Sequence, residues 1–176
     1  MAFSNHIKKV IEDLRPQLPT TQSLLIPLLH EIQNEAGWIS PEAMKEAAQY
    51  LDLPLAAVRE VVTFYTMFKQ KPLGKVHLQL CTNISCWLNG AEHLMECLEK
   101  KLGIKEGETT KDGAFTLSEV ECLASCGTAP VLQVNQDYFE NLNEKEVGTL
   151  IDKLGAQVNA GEKNIGKSTY QEGMWP

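Results

Sequence analysis

Four cysteines in two pairs constrain this chain more than any other feature. Four residues separate Cys81 from Cys86, three separate Cys122 from Cys126, and 35 lie between the pairs. Each pair follows a segment with strand character. In "KVHLQL", Val76, Leu78 and Leu80 alternate with His77 and Gln79, and "AFTLSEVEC" reads as a second strand whose alternation breaks at Glu119. Between them, "WLNGAEHLMECLEKKLG" carries a helical stripe of Ala91, Leu94, Met95, Leu98 and Leu102, ended by Gly103. A strand–helix–strand crossover makes its two strands parallel, so their carboxyl ends share one sheet edge. Neighbouring strands lie about 4.8 Å apart. Cysteines placed at both strand ends should therefore converge on one rim, where open α/β sheets carry their sites.

The rest of the chain completes a domain around that crossover. "PVLQVN" and "DYFENL" straddle a turn at 135–137 and read as an antiparallel hairpin. Asn143 and Glu146 are spaced as a capping box ahead of a helix striped by Val147, Leu150, Ile151 and Leu154. The order β-α-β-β-α from residue 75 predicts a two-layer α/β arrangement of the thioredoxin type. Residues 1–70 read as helices throughout. "TTQSLLIPLLHEIQNEAG" stops at Gly37, with Pro27 either kinking it or lying in its true first turn, and Ser40-Pro41 and Pro54 open two more helices. Leu55, Val58, Val62 and Tyr65 form a stripe that Phe64, Met67 and Phe68 widen; these residues are expected in the core, with a subunit contact as the second reading. "KPLG" at 71–74 marks the boundary. The expected organisation is a helical bundle over 1–72, the thioredoxin-like domain over 73–156 and a polar tail over 157–176.

That tail contains "GEKNIGKS" at 161–168, which matches the phosphate-binding loop pattern letter for letter. Such a loop needs a buried strand before it and a helix after it. Here a helical segment precedes and "TYQEGMWP" follows, so the match is read as coincidence. The net charge of −7 argues against nucleic acid or an anionic membrane surface as the main partner. No apolar run approaches the length of a membrane span, and the first residues lack a signal core, which gives a cytoplasmic expectation without membrane insertion. In that reducing compartment five cysteines point to metal or redox chemistry rather than disulfides.

Thiolates ligate both iron–sulfur clusters and tetrahedral zinc. Two pairs suit a [2Fe–2S] rhomb, one pair per iron. The C-x4-C spacing departs from the C-x2-C of zinc knuckles and thioredoxin dithiols. Spacing thus ranks a cluster first and leaves structural zinc and unliganded core cysteines open. Cys97 lies off the helix stripe and is read as a bystander. His6, His30, His77 and His93 are given ordinary surface or core roles.

"CTNISC", "KLGIKEGETTKDGAFTLSEVECLASCGTAPVLQVN", "HEIQNEAGWIS" and "VVTFYTMF" together resemble the 24-kDa-type [2Fe–2S] subunit of NADH:quinone oxidoreductase, respiratory complex I. Related subunits occur in NAD-reducing hydrogenases and formate dehydrogenases. The resemblance implies a helical bundle followed by a thioredoxin-like domain, and an electron carrier with no catalytic residue of its own. It implies Cys81, Cys86, Cys122 and Cys126 as ligands of one [2Fe–2S] cluster. It also implies a flavoprotein partner that binds NADH and FMN and exchanges single electrons with the cluster. The chain's lack of a G-x-G-x-x-G fits nucleotide binding by that partner. The family usually has Gly where this chain has Ala124. We expect φ < 0 there, since a strained loop beside an anionic group needs further support. Ala129-Pro130 stands where the family implies a cis bond.

Overall fold

The computed structural model describes residues 3–162 and Ile165. Two compact units meet in sequence at Pro72 and Leu73.

The first unit is helical. Helices α1 (Asn5–Leu14), α2 (Leu25–Ala36), α3 (Pro41–Leu51) and α4 (Leu55–Phe64) enclose a core that includes Ile11, Leu28, Leu29, Leu51 and Val58. Side chains cap the helix starts: Ser4 accepts from the Ile7 amide at 3.2 Å and Ser40 from the Ala43 amide at 3.0 Å. Pro27 is the third residue of α2, in the first turn, where no intrahelical N–H is needed. Gly37, at φ 81, ends that helix. The core expectation fails for two residues of the widened stripe: Phe64 is 76% and Met67 48% exposed, whereas Phe68 is buried. Phe64 sits about 200° around the helix from Val62. Beyond it the chain leaves the helix at Tyr65, so helical spacing stops governing which side chains turn inward.

The second unit carries the sheet. Strands β1 (Val76–Cys81), β2 (Phe115–Val120), β3 (Leu132–Val134) and β4 (Asp137–Phe139) lie in the order β2-β1-β3-β4. β1 and β2 are parallel, with Cys81 opposite Val120, and the other pairings are antiparallel. Helices α5 (Ile84–Leu88), α6 (Ala91–Leu102) and α7 (Glu144–Asn159) complete it, and Leu78, Leu80, Leu98, Leu117, Leu132 and Leu154 fill the core. The single helix expected from Trp87 to Leu102 is broken in two, because Gly90 takes φ 91. Upstream of β1, the Gly74 amide donates to Thr116 Oγ1 at 2.7 Å. A Cβ on Gly74 would stand 2.7 Å from the Phe115 carbonyl carbon, so only glycine lets the chain pass this close to β2.

The Asn143–Glu146 capping box forms as expected. The tail boundary at 157 does not hold. Helix α7 runs to Asn159, with buried Val158 extending the spacing of Ile151 and Leu154, and Ile165 packs against the same core. Helix α7, not a strand, precedes the octapeptide at 161–168; Lys167 and most of the octapeptide lie outside the described residues.

Candidate metal centre

Parallel pairing of β1 and β2 brings their carboxyl ends side by side, and both cysteine pairs lie at that edge. Cys81 is the last residue of β1 and is buried; its thiol donates to the Glu121 carbonyl at 3.6 Å. Cys86 is buried in α5, whose start is capped by the Asn83 side chain on the Ile84 amide at 2.9 Å. Its thiol is pushed up to about 11, first by burial, then by the Cys81 thiol beside it and by charge at Cys81 and Cys126; the Val131 amide acts in the opposite direction. An uncompensated thiolate is therefore unfavourable at Cys86, as expected of a residue that ionises only against a cation.

The second pair is on the outside. Cys122 follows β2 after Glu121, Cys126 opens a 3₁₀ turn over Cys126–Thr128, and both are exposed. Cys81 and Cys126 both lie within electrostatic reach of Cys86. Cys122 instead takes a hydrogen bond from the Ala124 amide at 3.3 Å. No three of these four sulfurs gather within 4.8 Å of one another. A mononuclear tetrahedral thiolate site would need S···S edges of about 3.8 Å.

Ala124 overturns our expectation: its φ is +60, in the left-handed region. The Ala124 amide lies against the Cys122 sulfur in the same loop. The support comes from Glu140. One carboxylate oxygen accepts from the hydroxyls of Ser125 and Thr128, the latter at 2.7 Å, and the Thr128 carbonyl accepts from the Asn141 amide at 2.7 Å. The Glu140 carboxyl is held below its ordinary range by Ser125 first and Thr128 second. Sequence reasoning missed Glu140; the only available signal was the Ser-x-x-Thr step, which builds a hydroxyl pair on one side of a turn. The cis bond at Ala129-Pro130 is present. It leads into Val131, whose carbonyl accepts from the Cys81 amide at 3.1 Å.

Beside Cys86, α5 exposes Ile84 (73%), Trp87 (54%) and Leu88 (70%). Cys97 stands apart from the four, half-buried on α6. His77 is buried against the Ser118 hydroxyl, His30 lies against the Phe68 ring, and His6 faces Glu31. Among the described residues no helix is long and apolar enough to cross a membrane.

Residues 7–155 match the family model of the thioredoxin-like [2Fe–2S] ferredoxins. The chain is 48% identical over 133 residues to the E-type subunit of NADH-quinone oxidoreductase from Rickettsia prowazekii (strain Madrid E), a match covering 75% of each chain. It is 44% identical over 150 residues to the same kind of NADH-quinone oxidoreductase subunit, numbered 2, from Rhizobium meliloti (strain 1021), covering 85% of this chain and 89% of that relative. In three dimensions it is similar to an NAD+-reducing [NiFe]-hydrogenase in the air-oxidised state, with a TM-score of 0.67 at 21% identity. That likeness covers 80% of this chain and 24% of the hydrogenase chain, and is one of fold.

Proposed function

Because this chain belongs to the thioredoxin-like [2Fe–2S] ferredoxin family, we propose that it is the [2Fe–2S] electron-transfer subunit of an NADH:quinone oxidoreductase, with Cys81, Cys86, Cys122 and Cys126 as the ligands. The observation that carries this reading is the placement of both cysteine pairs at the carboxyl edge of one parallel strand pair. The donor set fits the group: four thiols, two buried and two exposed, with the Ala124 amide already directed at one sulfur. When bound, the cluster supplies one-electron redox chemistry. The protein's part is to hold the four sulfurs, to offer amides to their charge, and to keep water from Cys81 and Cys86. No acid, base or nucleophile is required.

The partner in this reading is a flavoprotein subunit that binds NADH and FMN. The exposed Ile84, Trp87 and Leu88 beside Cys86 supply an apolar surface suited to such a contact, and Phe64 and Met67 a second one on the helical unit. The chain would then be peripheral, on the cytoplasmic side of the inner membrane. The names of its relatives at 42–48% identity support a place in an NADH-quinone oxidoreductase.

Anaerobic purification tests it. The protein should be reddish-brown, contain two irons and two acid-labile sulfides per chain, and give a one-electron EPR signal on reduction. Replacing any of Cys81, Cys86, Cys122 or Cys126 by Ala should abolish or severely weaken cluster assembly, while Cys97→Ala should leave the visible spectrum intact. A colourless protein with one zinc per chain would overturn the proposal.

A further inference from the structure

His93, Cys97 and Glu144 bring one nitrogen, one sulfur and one carboxylate oxygen within 4.8 Å of one another. We propose that this trio is a second metal site, for a borderline divalent cation with zinc as the best fit, clamping α6 to α7. It shares no residue with the four cysteines above and does not depend on their assignment.

The trio follows from how the helices are built. His93 and Cys97 are one turn apart on α6 and so lie on the same face. Glu144 is the first residue of α7, positioned by the Asn143–Glu146 capping box. The two helices run alongside each other, since Lys101 reaches Asp152 at 2.7 Å two turns further along both. Each member of the trio is thus fixed by backbone structure rather than by a loop.

The spacing matches coordination geometry. With metal–ligand bonds of about 2.0–2.2 Å to N and O and about 2.3 Å to S, a tetrahedral zinc has N···O edges near 3.3 Å and N···S edges near 3.6 Å. His93 Nε2 is 3.3 Å from Glu144 Oε2 and 3.7 Å from Cys97 Sγ. His93 and Glu144 are largely exposed, which leaves the fourth position to water. The other ring nitrogen of His93, Nδ1, has the Glu96 carboxylate 4.0 Å away, which adds negative charge beside the site without a hydrogen bond. Cys97 is held protonated by burial first and by the Glu144 charge second, with Lys100 acting in the opposite direction. Metal binding must displace that proton: Zn²⁺ and the thiol give the zinc thiolate and one proton released to solvent.

The test is calorimetric titration of Zn²⁺ into the purified, cluster-loaded full chain, desalted anaerobically into metal-free buffer, with the visible spectrum followed throughout. The expected result is one zinc per chain, up to one proton released, and an unchanged spectrum. Cys97→Ser and His93→Asn should each weaken binding at least about tenfold. Cys97→Ser and His93→Asn change only a half-buried and an exposed side chain, so the spectrum confirms that the fold is kept. Absence of zinc binding, binding equally tight in those two variants, or zinc uptake accompanied by loss of the visible spectrum would each overturn the site.

Discussion

Ala124 holds a left-handed backbone that its methyl group resists, and replacing it with glycine should raise the stability of the loaded protein. An L-residue in that region costs about 1–2 kcal/mol relative to the right-handed one. Glycine removes that cost but brings a more flexible unfolded chain, a loss of about 0.4–1 kcal/mol. Ala124 is exposed, so deleting its methyl forfeits no packing, and its amide still reaches Cys122. The balance is a gain of roughly 0.5–1 kcal/mol. For a unit of about 100 residues, that raises the melting temperature by about 2–6 °C. Anaerobic melting of wild type and Ala124→Gly, followed by loss of visible absorbance and by calorimetry, measures it. Among the described residues, the other non-glycine positions with positive φ are Asp52, Asn135 and Asn141, types that tolerate it; alanine is the one with relief to gain. A fall in melting temperature would refute the reasoning, because it would mean that φ at this position is negative in solution.

Three further outcomes follow from the packing. Gly74→Ala should destabilise the second unit by at least about 2 kcal/mol in denaturant titration, since its Cβ meets the backbone of Phe115 and neither strand can yield cheaply. Glu140→Gln should lower the melting temperature at pH 7, because two hydroxyls lose a charged acceptor worth about 1.5–3 kcal/mol. The Glu140 carboxyl is depressed in the folded state, so its contribution is present above the unfolded pKa and lost as the pH falls through the folded one; the gap between wild type and variant should close in acid. Phe64→Ser should change stability by no more than about 0.5 kcal/mol in the isolated chain, and a larger loss would place that ring in a core.

Much of this was legible in the sequence because the signals are local. Ser40, Gly37 and the Asn143–Glu146 box act on their own neighbours, and the alternation of Val76, Leu78 and Leu80 needs only a buried sheet face. Placement of both cysteine pairs at one sheet edge followed from crossover topology. What escaped depends on contacts remote in sequence or on a single dihedral. Gly90 could end a helix or merely interrupt one, and its left-handed φ of 91 decides. Val158 reads as polar tail until Ile151 and Leu154 are seen beneath it. Ala124 carries no mark of its left-handed backbone, which is held in part by Glu140, distant in sequence. His93 and Cys97 were read as an ordinary histidine and a bystander thiol; their approach to Glu144, on another helix, is beyond the reach of any local pattern.

The unequal burial of the two cysteine pairs gives the site a single doorway. A cluster held by these four cysteines, as proposed above, would be reached from solvent through Cys122 and Cys126, because Cys81 and Cys86 are 3% and 2% exposed. Chelators and oxidants would likewise meet the outer pair first, beside the left-handed backbone of Ala124.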